Sequence, residues 1–134
     1  MQTAKKNTTV LLVEDSKLLR LAGERALQRA GYQVLAAADG EQALRMARES
    51  HPHVILLDML LPKVSGLDVL RALKSDGQTK DIPVIVLSSL AQANEAKLLS
   101  EGAAAFFEKS ENMLQNDYSE LLRKLQAVLA ERNN

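Results

Sequence analysis

Five short apolar runs punctuate the chain: Val10–Val13, Val34–Ala38, Val54–Leu57, Val84–Leu87 and Ala103–Phe107. Three of them are continuously aliphatic, and the second, mostly alanine, is the weakest. A strand with one wet face alternates in polarity. An unbroken apolar run fits a strand covered on both faces, as in a parallel sheet. Between these runs the pattern takes on a helical period. Leu19, Ala22, Ala26, Leu27 and Ala30 share one face, and Gly31 supplies the stop. The next helix opens at Asp39 with Gln42 as its capping partner and buries Ala43, Leu44 and Ala47. Ser65 and Asp68 repeat that signature ahead of Leu67, Leu70 and Leu73. A fourth helix is expected from about Ala91 to Ser100, ending at Gly102. The fifth carries the clearest stripe: Tyr118, Leu121, Leu122, Leu125, Val128 and Leu129. Strand and helix alternating five times predict an α/β fold, a parallel sheet with helices on both faces.

Length and charge narrow the picture. The 134 residues suit one domain, expected over residues 9–130, with tails at 1–8 and 131–134. The 17 basic and 17 acidic side chains cancel, so no general attraction to nucleic acid is expected. Cys is absent, which excludes disulfides, cysteine–zinc clusters and thiol catalysis. No apolar run approaches the roughly 18 residues of a membrane span, and the first residues lack a signal-peptide core. The expected setting is the cytoplasm, with no membrane partner.

In an open α/β sheet, ligands bind beyond the carboxyl ends of the strands. Glu14 and Asp15 follow the first run, Asp58 the third, Ser88 the fourth, and Glu108-Lys109-Ser110 the fifth. If the first and third strands are neighbours, three carboxylates converge, and like charges that repel and desolvate one another stabilise nothing by themselves. A bound hard cation would resolve the conflict. Mg²⁺ prefers oxygen ligands and often completes its shell with a phosphate. With the Lys109 ammonium and the Ser88 hydroxyl in the same cleft, the set suits phosphoryl transfer.

These residues, in order, resemble the receiver domain of bacterial two-component response regulators, the CheY-like family. The resemblance covers about Thr9 to Leu129. It rests on Val-Glu14-Asp15-Ser16, on Leu-Leu-Asp58-Met-Leu-Leu-Pro62 with Gly66, on Ser88, and on Phe106 three residues before Lys109. It implies a flavodoxin-like (βα)5 fold, a doubly wound five-stranded parallel sheet in strand order 2-1-3-4-5. Asp58 would accept a phosphoryl group from a histidine kinase or histidine phosphotransfer protein. Asp15 and Asp58 would bind Mg²⁺, with Glu14 acting through water and the backbone carbonyl of Leu60 as a further ligand. Ser88 and Lys109 would contact the phosphoryl group, and Ser88 with Phe106 would form the switch. The output would leave through the surface of the fourth helix, fifth strand and fifth helix, which is also a possible homodimer face. The downstream target is unknown, and the chain would catalyse only its own phosphorylation and slow self-dephosphorylation.

Two departures stand out. Ser110 occupies the place where such proteins usually carry proline, leaving the Lys109–Ser110 bond open between cis and trans; Ser110 could instead cap the last helix near Glu111 and Asn112. Leu60 and Leu90 lie two residues after Asp58 and Ser88, where polar side chains in the family help orient the hydrolytic water. Two leucines are expected to shield the acyl phosphate.

Other readings remain beside this one. Gly66 allows a tight turn, at least one of Phe106 and Phe107 is plain core, and His51-Pro52-His53 is a loop feeding the third strand. The first helix carries Lys17, Arg20, Arg25 and Arg29 against Glu24, either a wet face or a docking surface for the kinase. A flavin or nucleotide binder would need a Gly/Ser/Thr-rich loop where Glu14-Asp15 stands. An aspartyl-phosphate phosphatase would commonly place a second Asp at Leu60. A pseudo-receiver that binds partners without phosphorylation stays open, as does a receiver cut from a hybrid kinase or DNA-binding regulator.

Overall fold

The computed structural model describes residues 7–61, 64–88, 95–109 and 118–132. Its elements run β1 (Thr9–Val13), α1 (Lys17–Arg29), β2 (Gln33–Ala37), α2 (Gly40–Ser50), β3 (Val54–Asp58), α3 (Gly66–Ser75), β4 (Val84–Ser88), α4 (Glu95–Ser100), β5 (Ala105–Glu108) and α5 (Ser119–Arg132). The five strands form one sheet in the order β2-β1-β3-β4-β5, and every pairing is parallel. This is the flavodoxin-like arrangement.

The unbroken aliphatic runs occupy the centre. Every residue of β3 and β4 is buried, as expected of strands with helices on both faces. Alternate side chains divide the interior into two layers. Leu11, Val13, Ile55, Leu57 and Val86 pack with Ala43, Ala47, Leu70 and Leu73 of α2 and α3. Val10, Leu12, Leu56 and Ile85 pack with Leu27 of α1 and with Leu121, Leu125 and Val128 of α5. Phe106 enters the first layer and Phe107 packs against the second.

Capping chemistry sets most boundaries. Asp39 accepts from the Gln42 backbone N–H at 2.9 Å, and the Gln42 side-chain oxygen accepts from Ala38 N–H at 2.9 Å. Ala38 therefore serves the cap of α2, and β2 ends at Ala37. The expected start of the fifth strand at Ala103 moves to Ala105 for a similar reason. Ala103 N–H is taken by Leu98 O at 3.1 Å as α4 closes, through Gly102 with φ +109°. Gly31, at φ +101°, ends α1 as expected. β3 and β4 each run one residue further than the apolar pattern indicates. Asp58 pairs with Leu87 and Ser88 with Glu108, so both side chains belong to the sheet itself.

Two details depart from the helical pattern. Gly23 of α1 is buried against the sheet, where an added Cβ would come within 2.8 Å of Leu12 Cδ2. His51 ends α2 with φ 48°, and His53 Nδ1 accepts from Thr9 N–H at 3.0 Å while His53 N–H donates to Thr9 O. The expectations for Pro62, Leu90, Ser110, Glu111, Asn112, the Lys109–Ser110 bond and the first turn of the fourth helix lie outside the described residues.

Candidate functional site

At the carboxyl edge of the sheet, β1 and β3 are adjacent, and the acids that follow β1 share one cleft with Asp58 at the end of β3. Glu14 and Asp58 are almost wholly buried, whereas Asp15 is exposed at the rim. One carboxylate oxygen from each of the three lies within 4.8 Å of the others, the only such ligating cluster among the described residues.

Lys109 closes the cleft from β5. Its Nζ lies 3.1 Å from Glu14 Oε1 and 3.2 Å from Asp58 Oδ2, donating to both. Its backbone N–H donates to Ser88 O at 2.7 Å, which fixes where the side chain leaves the sheet. Asp58 Oδ1 accepts from Leu60 N–H at 3.2 Å, and Glu14 Oε2 accepts from Ser16 N–H at 3.2 Å. Both buried carboxylates are thus held in fixed orientations by backbone and cation together.

The electrostatics follow from crowding. Burial, and then the Asp58 charge, raise the Glu14 carboxyl above its ordinary range, outweighing the opposing pull of Lys109. Burial works against the Lys109 ammonium, but Asp58 and Glu14 overcome it and hold Lys109 protonated above its usual value. Burial, with the Glu14 charge behind it, raises the Tyr118 phenol as well. One cation among three carboxylates leaves the cluster net negative. An all-oxygen donor set with surplus negative charge is the kind that a hard divalent cation fits.

The loop beside Asp58 owes its shape to Gly66. A Cβ there would sit 2.6 Å from Met59 Cα and 2.7 Å from Asp58 O. Among the described glycines, positive φ falls at Gly31 and Gly102, so Gly66 is required for close approach and not for a left-handed turn.

The structure brings Glu14, Asp15, Asp58 and Lys109 together. Ser88 is buried at the end of β4, next in the sheet to β3. Leu60 keeps its backbone N–H on Asp58 while the residue as a whole is 60% exposed. Phe106 is buried two residues before the end of β5, and its carbonyl accepts from Lys124 Nζ at 2.8 Å.

Two participants escape the sequence pattern. Ser16 caps α1, accepting from Leu19 N–H at 3.3 Å. Arg20 folds back instead of joining the wet face: its Nη1 donates to Glu14 O at 2.8 Å and Asp15 O at 3.2 Å. Only the acids before the helix hinted that something would have to hold their loop.

Comparison with known proteins agrees with this geometry. Residues 10–123 match the family described as "Response regulator receiver domain". The polar-differentiation response regulator DivK of Brucella ovis is 36% identical over 102 residues, covering 75% of this chain and 83% of that protein. The chemotaxis protein CheY4 of Vibrio cholerae has a similar structure, with a TM-score of 0.80 and 31% identity over 90% of this chain and 98% of its own. The receiver domain of a Pseudomonas aeruginosa sensor histidine kinase, with magnesium coordinated in its active-site cleft, gives 0.80 at 29% identity, covering 92% and 98%. With an acidic cleft at the carboxyl edge of a 2-1-3-4-5 sheet and a family match over most of its length, this chain belongs to the response regulator receiver domain family, signalling proteins of the CheY-like type.

Proposed function

We propose that the chain accepts a phosphoryl group on Asp58 from a phosphohistidine of a histidine kinase or histidine phosphotransfer protein, and signals by a change in its protein contacts. The observation that carries this reading is the Asp58 carboxylate, buried at the end of β3, bonded to Lys109 and within 4.8 Å of the Glu14 and Asp15 oxygens. In the transfer, an Asp58 oxygen attacks phosphorus. The phosphorus–nitrogen bond breaks as the phosphorus–oxygen bond forms, and the imidazole leaves with the electron pair.

Asp15, Asp58 and the Leu60 carbonyl would hold Mg²⁺, with Glu14 engaged through water. The ion would supply positive charge that screens the carboxylates from the incoming phosphate and stabilises charge on the transferring oxygens. Lys109 is already placed between Glu14 and Asp58, so moving its ammonium to a phosphoryl oxygen on Asp58 requires only a short displacement. Ser88, at the end of the neighbouring strand, would receive another phosphoryl oxygen. Phe106, beneath it in β5, would respond and carry the change to the α4–β5–α5 face, which would bind a downstream protein or a second copy. A phosphoryl group shifts that equilibrium only by contacts that differ between the two states, and Ser88 and Lys109 are the groups placed to make them.

The test is intact-protein mass after incubation with acetyl phosphate and Mg²⁺, beside Asp58→Asn and a metal-free sample. One added phosphoryl group, absent from both controls, is expected. Failure to take up phosphate from acetyl phosphate and from a panel of phosphorylated histidine proteins would instead favour a pseudo-receiver.

A further inference from the structure

We propose that Arg20 is a positioning residue for the cation site, holding the Glu14–Asp15 loop in its ligating shape from the first turn of α1. This rests on the divalent-cation reading above and extends it to a residue outside the ligand set.

The loop is short and bears an unusual load. It must present two carboxylates, one buried and one at the rim, toward a third on another strand. Its start is tied to the sheet by Glu14 N–H, which donates to Ala37 O at 3.0 Å. Its end is tied to α1 by Ser16, whose hydroxyl caps the helix and whose carbonyl accepts from Arg20 N–H at 2.8 Å. Between these anchors the carbonyls of Glu14 and Asp15 face the helix. The same Arg20 nitrogen, Nη1, donates to both, at 2.8 and 3.2 Å. A guanidinium bonded to two successive carbonyls fixes the peptide planes on either side of the Asp15 Cα, and so fixes the direction in which that side chain leaves the backbone. Asp15 is the exposed member of the cluster, and its placement depends most on its backbone.

Arg20 is also a positive charge close to a site for a cation. Through-space electrostatics alone makes it unfavourable to cation binding, so removing it should tighten binding. Positioning makes the opposite prediction. Outer partners of metal ligands typically contribute about tenfold or more to affinity. The two roles differ in sign, and one titration separates them.

The experiment is Mg²⁺ titration by calorimetry of the full chain in three forms: wild type, Arg20→Met and Arg25→Met. Arg25 lies exposed on the same helix, so its replacement controls for the lost charge. Arg20→Met is expected to bind Mg²⁺ roughly tenfold more weakly, with faster amide exchange at residues 14–16 in metal-free protein, while Arg25→Met binds as wild type does. Equal or tighter binding by Arg20→Met would overturn the positioning role. Absence of Mg²⁺ binding in wild type would instead overturn the cation reading beneath it. Nitrogen-15 spectra of the wild-type arginine side chains cover the case in which Arg20→Met fails to fold. Slowed rotation of the Arg20 guanidinium in metal-free protein is expected, and free rotation would overturn the proposal.

Discussion

Lys109 Nζ lies 3.2 Å from Asp58 Oδ2, an ion pair spanning 51 residues of sequence and closed off from bulk water on the carboxylate side. The same ammonium reaches Glu14, so one cation compensates two buried anions. Lys109→Met would leave both uncompensated and is expected to destabilise the fold by about 2–3 kcal/mol at neutral pH. Asp58→Asn should do the reverse. Lys109 keeps Glu14 as a partner while the repulsion between the carboxylates disappears, so stability should rise by about 1 kcal/mol as phosphoryl acceptance is lost. Urea denaturation of the two variants checks the opposite signs.

Gly66→Ala places a methyl group against backbone atoms of Met59 and Asp58 that cannot turn aside. The loop must shift, with a loss of about 2 kcal/mol or more and impaired phosphorylation of Asp58. Gly77→Ala is the matched control, since nothing lies within 4 Å of its added Cβ. Its unfolding free energy in urea denaturation should stay within about 0.5 kcal/mol of wild type.

Arg71 donates to Glu101 through two nitrogens, at 3.1 and 2.9 Å, joining α3 to the turn after α4. These bonds hold the Glu101 carboxyl below its ordinary range. A depressed folded-state value means that the contribution is present above the unfolded pKa and is lost as pH falls through the folded one. Wild type and Glu101→Gln should therefore differ in urea midpoint near neutrality and converge as pH falls through the depressed folded-state range of Glu101. A difference independent of pH would assign the effect to packing.

Leu60 stands two residues after the acceptor, with an apolar side chain that can neither donate to nor accept from a hydrolytic water. The phosphoryl group on Asp58 is expected to persist, and Leu60→Asn should shorten its lifetime several-fold. Loss of the added mass with time measures both. Rapid decay in wild type would show that another group orients the water.

Local chemistry is legible in the sequence itself. The unbroken aliphatic runs implied covered strands, Asp39 with Gln42 and Ser65 with Asp68 marked helix starts, and the acids, Ser88 and Lys109 stood at strand ends. These follow from periodicity and from backbone groups seeking partners within a few residues, so a window of sequence contains them. Three relationships were not contained in any window. Lys109 meets Glu14 across 95 residues because β1 and β3 lie side by side with β4 and β5 beyond them. The spacing to Lys109 singled out Phe106 from Phe107, but only the pleat decided that the two enter opposite layers. Gly66 and Arg20 take their roles from backbone approaching within hydrogen-bond or van der Waals range, a matter of distance between elements. Sequence by itself determined the elements and the chemical groups at their ends. The family resemblance implied the strand order, but tertiary structure alone decided which atoms touch, because contact depends on packing distance between elements, which no local pattern encodes.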